Sequence, residues 1–228
     1  MKSVKKLAIV VSVYNEEKRA LNTVKKILKL DKQAVLVLVD DGSSDNSYKI
    51  LQDEFGKNKQ VVILQHIINL GKGAAMKTGV EKAWQIGCDA VVFLDADGQH
   101  DPKHLNEFRK ELKNNDLVFG RRALGVEMPI IRRWGNILMV KLVKQFFNIQ
   151  RSDILCGYFA VKKKIYKEIE WDEPRYGVEA QIAAMTGKKN ISFSEVNVDT
   201  IYIDKYKGLS IFEAFGFFIK IPYWYIKK

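Results

Sequence analysis

The chain has 228 residues, 47% of them hydrophobic, and 38 basic against 27 acidic side chains give a formal charge of +11. That length suits one large domain or a domain with a C-terminal appendage, and the lack of Pro-rich, Ser-rich or repetitive stretches excludes a linker-rich or repeat protein. Two cysteines, Cys88 and Cys156, exclude a disulfide framework and point to a reducing compartment. The basic surplus suits nucleic acid, anionic lipid headgroups or phosphorylated substrates, and composition does not choose among them.

The first apolar run, Leu7–Val13, follows a lysine-rich start of the kind that opens a signal peptide. It is short, no small-residue cleavage site follows it, and Asn15-Glu16-Glu17 interrupts it, so it reads as a buried strand. Ala34–Val39, Val61–Leu64 and Ala90–Leu94 are similar runs, and Glu17–Leu30, Ser44–Phe55 and Gly73–Ile86 between them carry helical periodicity. Strand alternating with helix predicts a mostly parallel sheet covered on both faces, whose ligands bind beyond the carboxyl ends of the strands. Further along, Asp116–Gly120 reads as a strand and Ile130–Phe147 as a helix. Cys156–Val161 and Ile191–Val198 read as strands around a helix near Val178–Met185.

The strand ends hold the chemistry. Tyr14-Asn15-Glu16-Glu17 follows the first strand, and Asp40-Asp41-Gly42-Ser43-Ser44-Asp45 the second. Asn69-Leu70-Gly71-Lys72-Gly73 follows the third, and Asp95-Ala96-Asp97-Gly98-Gln99-His100-Asp101 the fourth. Carboxylates at i and i+2 of a strand point to opposite faces, but a turn just past the strand end can aim both at one cation. Asp95 and Asp97 are hard oxygen donors suited to Mg2+ or Mn2+, with Gln99 as a neutral oxygen and a nucleotide diphosphate filling the shell. Gly42 permits a tight turn, Ser44 or Asp45 can cap the next helix, and Asp41 can accept hydrogen bonds from a nucleobase or ribose. Gly71 and Gly73 let backbone approach a ligand at a helix start, although the spacing is neither a P-loop nor G-x-G-x-x-G. Arg121, Arg122, Arg132 and Arg133 supply guanidinium forks suited to phosphate or, as plainly, a solvated basic face. His66, His100 and His104 form no zinc spacing and read as surface or local hydrogen-bonding residues.

These four motifs in order resemble family-2 glycosyltransferases of the GT-A fold, and within them the dolichyl-phosphate or polyprenyl-phosphate sugar synthases. The likeness continues through Asp153-Ile154-Leu155-Cys156-Gly157, Val178-Glu179, Glu195-Val196 and Thr200-Ile201-Tyr202. It implies an inverting, metal-dependent transfer of a hexose from a UDP- or GDP-sugar to a polyprenyl or dolichyl phosphate. Tyr14, Glu16 and Asp41 would hold the nucleoside, with Lys72 and Asp95 beside the nucleotide. Asp95, Asp97 and Gln99 would hold the metal on the donor diphosphate. Arg122, Arg132 and Asn136 would hold the acceptor phosphate. Asp97, Arg122 and Asp153 are the residues expected to carry the reaction, Asp153 as general base if the acceptor is instead a glycan or glycolipid hydroxyl. The chain departs from the family pattern at Gly120-Arg121-Arg122, where many relatives have Gly-Ser-Arg, and at Asn136, where some have serine. Lys205, Lys207 and Ser210 stand in place of an arginine-rich stretch. These departures bear on the acceptor more than on the donor.

The resemblance predicts a GT-A catalytic domain over residues 1–209, Rossmann-like with helices on both faces, and an apolar, aromatic segment over 210–228. Ser210–Ile226 carries Glu213, Lys220 and Pro222, which makes it a poor transmembrane helix. An amphipathic helix lying in the membrane interface fits better than one docked on the protein's own core, with Lys227 and Lys228 beside anionic headgroups. The expected location is peripheral, at the cytoplasmic face of a membrane. A nucleic-acid partner is not expected, because acidic strand ends would repel phosphate unless a metal intervened. A sugar-phosphate nucleotidyltransferase is disfavoured by the acidic Glu16-Glu17 where a basic glycine loop would be needed.

Overall fold

The computed structural model describes residues 4–122, 130–175, 177–199 and 220–226, with backbone only at 130–132. Strands β1 (Leu7–Val13), β2 (Val35–Asp40), β3 (Val61–Gln65) and β4 (Ala90–Asp95) alternate with helices α1 (Ala20–Leu30), α2 (Ser47–Phe55) and α3 (Lys72–Gln85). A 3-10 turn (Pro102–His104), α4 (Leu105–Glu111), β5 (Leu117–Arg122) and α5 (Ile130–Phe147) follow. Then come β6 (Phe159–Lys162), α6 (Lys163–Tyr166), α7 (Val178–Lys188) and β7 (Ser194–Val198). Residues 220–226 form a further helix, α8.

Seven strands form one sheet in the order β3-β2-β1-β4-β6-β5-β7. β1 pairs in parallel with β2 and β4, and β5 in parallel with β7, whereas β6 runs antiparallel to both of its neighbours. The expected mostly parallel α/β sheet is therefore present. Alternate residues of each strand feed two cores. Ala8, Val10, Val37, Val91 and Phe93 pack on the face covered by α3, α5 and α7. Leu7, Ile9, Val11, Leu36 and Val92 pack on the face of α1, α2 and α4. Both faces of the central strands are sealed, which is why they read as unbroken apolar runs.

The reversal of β6 has a direct consequence for the site. An antiparallel strand begins where its parallel neighbours end, so the segment entering β6 arrives at the carboxyl end of β4. The predicted strand from Cys156 starts only at Phe159, because Cys156-Gly157-Tyr158 is spent on that entry. The 3-10 turn, α4 and α6 are short elements without a long periodic pattern and were not anticipated.

The C-terminal segment is described only in part. Residues 210–219 lie outside the described set, but α8 does not offer its whole apolar circumference to a membrane. Ile221 and Trp224 are buried in the protein's own core, and Lys188 donates to the carbonyls of Trp224 and Tyr225 at 3.2 and 2.6 Å. Lys220 pairs with Glu173 at 2.6 Å. Tyr223, Tyr225 and Ile226 remain exposed on the outer side. Among the described residues no helix is long and apolar enough to cross a membrane.

Candidate active site

The carboxyl ends of β1, β2 and β4, the start of α3, the entry to β6 and the first turn of α7 meet at one mouth. Ser12 is in register with Asp95 on the neighbouring strand, and its hydroxyl donates to Asp95 Oδ1 at 3.3 Å. Lys72, the first residue of α3, reaches back to Asp95 Oδ2 at 2.7 Å and to Glu179 Oε1 at 2.7 Å. Glycine at 157 lets the three groups close over bare backbone. A Cβ there would stand 2.5 Å from Lys72 Nζ, 2.9 Å from Asp95 Oδ2 and 3.2 Å from Glu179 Oε1.

Charge in this cluster is uneven. Burial would raise the Asp95 carboxyl, but the Lys72 ammonium holds it below the ordinary carboxylate range. Burial also opposes the charge on Lys72, and its two carboxylate partners reverse that and keep it firmly protonated. Among the described residues no cation forms an ion pair with Asp97, and Lys72 acts on it only from a distance. Burial, then the neighbouring Asp95, push it up to about 6 despite the Gln99 N–H that donates to its Oδ1 at 2.9 Å.

Asp95 and Asp97 thus form an under-neutralised pair. Among the described residues no group of three or more His, Cys, Asp or Glu side chains makes a complete metal cluster. Two hard carboxylates fit a divalent cation when a diphosphate supplies the remaining oxygens, which is the chemistry the sequence led us to expect.

The other predicted residues fall into two groups. Tyr14 is exposed at the end of β1, and Glu16 is buried beside Arg19 with an ion pair at 3.4 Å. Asp41 is buried, and its carboxylate is turned inward. It accepts from the backbone N–H of Leu70 and Gly71 at 3.0 and 2.8 Å and sits 2.7 Å from His66 Nδ1. It therefore moulds the loop that delivers Lys72. Its neighbour Asp40, to which the sequence pattern gave no role, accepts from the Ser43 N–H through Oδ2, while its buried Oδ1 has no partner among the described residues.

Arg122, the last residue of β5, grips Asp153 bidentately, Nε to Oδ2 at 2.7 Å and Nη2 to Oδ1 at 2.9 Å. Asp153 is fully buried, and although burial would raise its carboxyl, Arg122 holds it below the ordinary range. A carboxylate held this way orients an arginine and is poorly placed to take a proton. Asn136 is likewise buried. Its side chain accepts from the Ile154 N–H at 3.1 Å and donates to the Ser152 carbonyl at 3.3 Å, clipping α5 to the segment that carries Asp153. The Arg132 side chain lies outside the described residues.

Among the histidines, His104 bonds locally as expected, its Nδ1 3.4 Å from Glu107 Oε1, whereas His66 meets the sequence-distant Asp41 and Thr78; His100 and His104 are buried, not superficial. His100 packs 5.7 Å from the Tyr158 ring, its Nδ1 has no partner among the described residues, and burial pushes its pKa down to about 4. Glu179, Gly157 and Ser12 were not assigned roles from sequence. No local spacing links them to Asp95, because strand register and the turn into β6 bring them there.

An open, mostly parallel sheet with paired carboxylates at its mouth defines the GT-A class of glycosyltransferase. The glucosyl-3-phosphoglycerate synthase of Mycobacterium tuberculosis, solved with Mn2+, UDP-glucose and phosphoglyceric acid, shares the fold with a TM-score of 0.70. It is 17% identical in sequence over 96% of this chain and 79% of that one. Residues 8–170 match the family model for glycosyl transferase family 2, and the chain belongs to that family and is a glycosyltransferase. It is 27% identical to the UDP-N-acetylglucosamine–dolichyl-phosphate N-acetylglucosaminyltransferase of Methanococcus voltae over 95% of each chain. It is 25% identical to the undecaprenyl-phosphate mannosyltransferase of Micrococcus luteus over 83% of this chain and 81% of that one.

Proposed function

We propose that this glycosyltransferase moves a hexose from a UDP- or GDP-sugar to a polyprenyl or dolichyl phosphate, with a divalent metal and inversion at the anomeric carbon. The observation that carries the donor half is the Asp95–Asp97 pair, in which Asp97 forms no ion pair among the described residues. Its partner Asp95 is tied to Lys72 at 2.7 Å. The acceptor half is supported by likeness, over nearly the whole chain, to two enzymes named for lipid-phosphate acceptors.

Asp95, Asp97 and Gln99 would hold Mg2+ or Mn2+, which supplies charge neutralisation on the leaving diphosphate. Tyr14, Glu16 and the Asp40–Asp41 turn would border the nucleoside. Arg122, oriented by Asp153, and Arg132 would hold the acceptor phosphate, with Asn136 fixing the loop behind them. An acceptor phosphate oxygen attacks the anomeric carbon as the bond to the diphosphate oxygen breaks, giving inversion. That nucleophile is already anionic near neutral pH, so no base is required, and the capture of Asp153 by Arg122 accords with this. Peripheral contact with the cytoplasmic face of a membrane would bring the lipid within reach, and the exposed Tyr223, Tyr225 and Ile226 suit the headgroup layer.

The test is a transfer assay with Mn2+ or Mg2+ and a panel of labelled UDP- and GDP-sugars, with and without polyprenyl phosphate. Label entering the organic phase only with lipid phosphate, and not with Asp97→Ala, is the expected result. Donor turnover without lipid product would move the acceptor to a hydroxyl.

A further inference from the structure

Asp95 presents neither oxygen freely. Ser12 donates to Oδ1 at 3.3 Å, and Lys72 holds Oδ2 at 2.7 Å. The ammonium is shared with Glu179, also at 2.7 Å, and all three groups lie against Gly157, where even a methyl group would collide with Lys72 Nζ at 2.5 Å. A cation that takes Asp95 as ligand therefore meets a cation already there. Two positive centres on one carboxylate oxygen repel strongly in a buried site.

We propose that Lys72 is the resident counterion of the donor site, that a divalent metal must take Asp95 from it, and that Glu179 is the positioning residue that retains the displaced ammonium. The inference rests on the metal-dependent donor reading above. The exchange is physically economical because Lys72 need not travel. It gives up one of two equal contacts and keeps the other, so its buried charge is never left without a partner. Without metal, Lys72 neutralises Asp95 and prevents two bare carboxylates from facing each other. With metal and nucleotide bound, the ammonium on Glu179 stays at the start of α3, beside the incoming diphosphate. Lys72 thereby sets a threshold, so that metal enters readily only together with a nucleotide whose phosphates add further oxygen ligands.

The experiment is a Mn2+ titration followed by electron paramagnetic resonance on the full chain, first with Mn2+ alone and then with UDP or GDP added. Lys72→Met removes the competing cation, and Mn2+ alone should bind about tenfold tighter. Glu179→Gln leaves Lys72 wholly to Asp95, and Mn2+ should bind about fivefold weaker. Lys72→Arg, which keeps the charge, should stay within about twofold of the parent chain. Shifts in opposite directions are a readout that general damage to the site would not give, since damage weakens binding in both variants. Unchanged or weaker Mn2+ binding in Lys72→Met, with the parent binding Mn2+ normally, overturns this inference and leaves the donor reading standing. A Glu179→Gln variant that binds Mn2+ as the parent does overturns the role of Glu179, even if Lys72→Met fails to fold. A parent chain that binds no Mn2+ with either nucleotide overturns both the inference and the reading beneath it.

Discussion

The half of the sheet built from β1 to β4 and the half built from β5 to β7 end at the same mouth but handle charge differently. On the first side Asp97 is pushed up to about 6 and forms no ion pair among the described residues. On the second, Arg122 and Asp153 close on each other in a buried, bidentate pair. One side carries negative charge that a bound cation would complete. The other is internally balanced and stiff, fit to hold a pre-ionised group in place. The contrast teaches that carboxylates at strand ends are not equivalent. Asp95 and Asp97 face the mouth, whereas Asp41 and Asp153 organise backbone and arginine from behind.

The sharpest way to break this comparison is Asp97→Asn. We expect transfer to fall at least about a hundredfold with the fold retained, since a charge-stabilising group at the reacting centre is lost. Initial rates alongside circular dichroism will check it, and near-normal rates would remove Asp97 from the donor side. A large structural effect is expected where the second half extends into α8. Trp224→Ala should destabilise the chain by about 3–5 kcal/mol in urea unfolding, because a fully buried indole is replaced by a cavity. A negligible change would mean that α8 does not dock in solution.

Asp153→Ala should cost about 3 kcal/mol by leaving the Arg122 guanidinium without its buried partner. Mn2+ affinity should stay at the parental level, and a matching loss of metal binding would erase the distinction between the two sides.

A subtler test uses pH. Asp97 titrates near 3.8 when unfolded and about 6 when folded. Between those values the folded chain binds more protons than the unfolded one, so its contribution to stability is present below the lower value and declines as pH rises toward the upper. Asp97→Asn removes the effect. The melting temperature of the variant should exceed that of the parent at pH 8, and the gap should close near pH 4. A gap independent of pH would mean that Asp97 is not the strained carboxylate. The smallest effect expected is from Trp171→Phe, which loses the 2.8 Å hydrogen bond to the Gly73 carbonyl and about 1 kcal/mol of stability. Thermal unfolding reads it directly.

How much of this was legible beforehand differs between the halves for a physical reason. Leu7–Val13 was read with its true bounds, and α1 to α3 and β2 to β4 within a few residues; β1, β2 and β4 are apolar almost throughout because both of their faces are buried. Ile130–Phe147 was equally clear as a long run of helical periodicity. The reversed β6 was not, since a strand of four residues carries no sign of its direction. The buried His100 was misplaced because an imidazole reads alike on a surface and in a buried pocket.

The sequence by itself determined the α/β alternation and the position of Asp95 and Asp97 past a strand end. These depend on local periodicity and turn chemistry, which neighbouring residues encode. Only the tertiary structure decided which carboxylates face the mouth. Asp41 turns inward to the N–H groups of Leu70 and Gly71, and Asp153 is consumed by Arg122. Lys72 bridges Asp95 and Glu179 over the bare backbone of Gly157. An ion pair is fixed by distance in space, and distance between remote segments is set by strand register and helix packing, which no short stretch of sequence records.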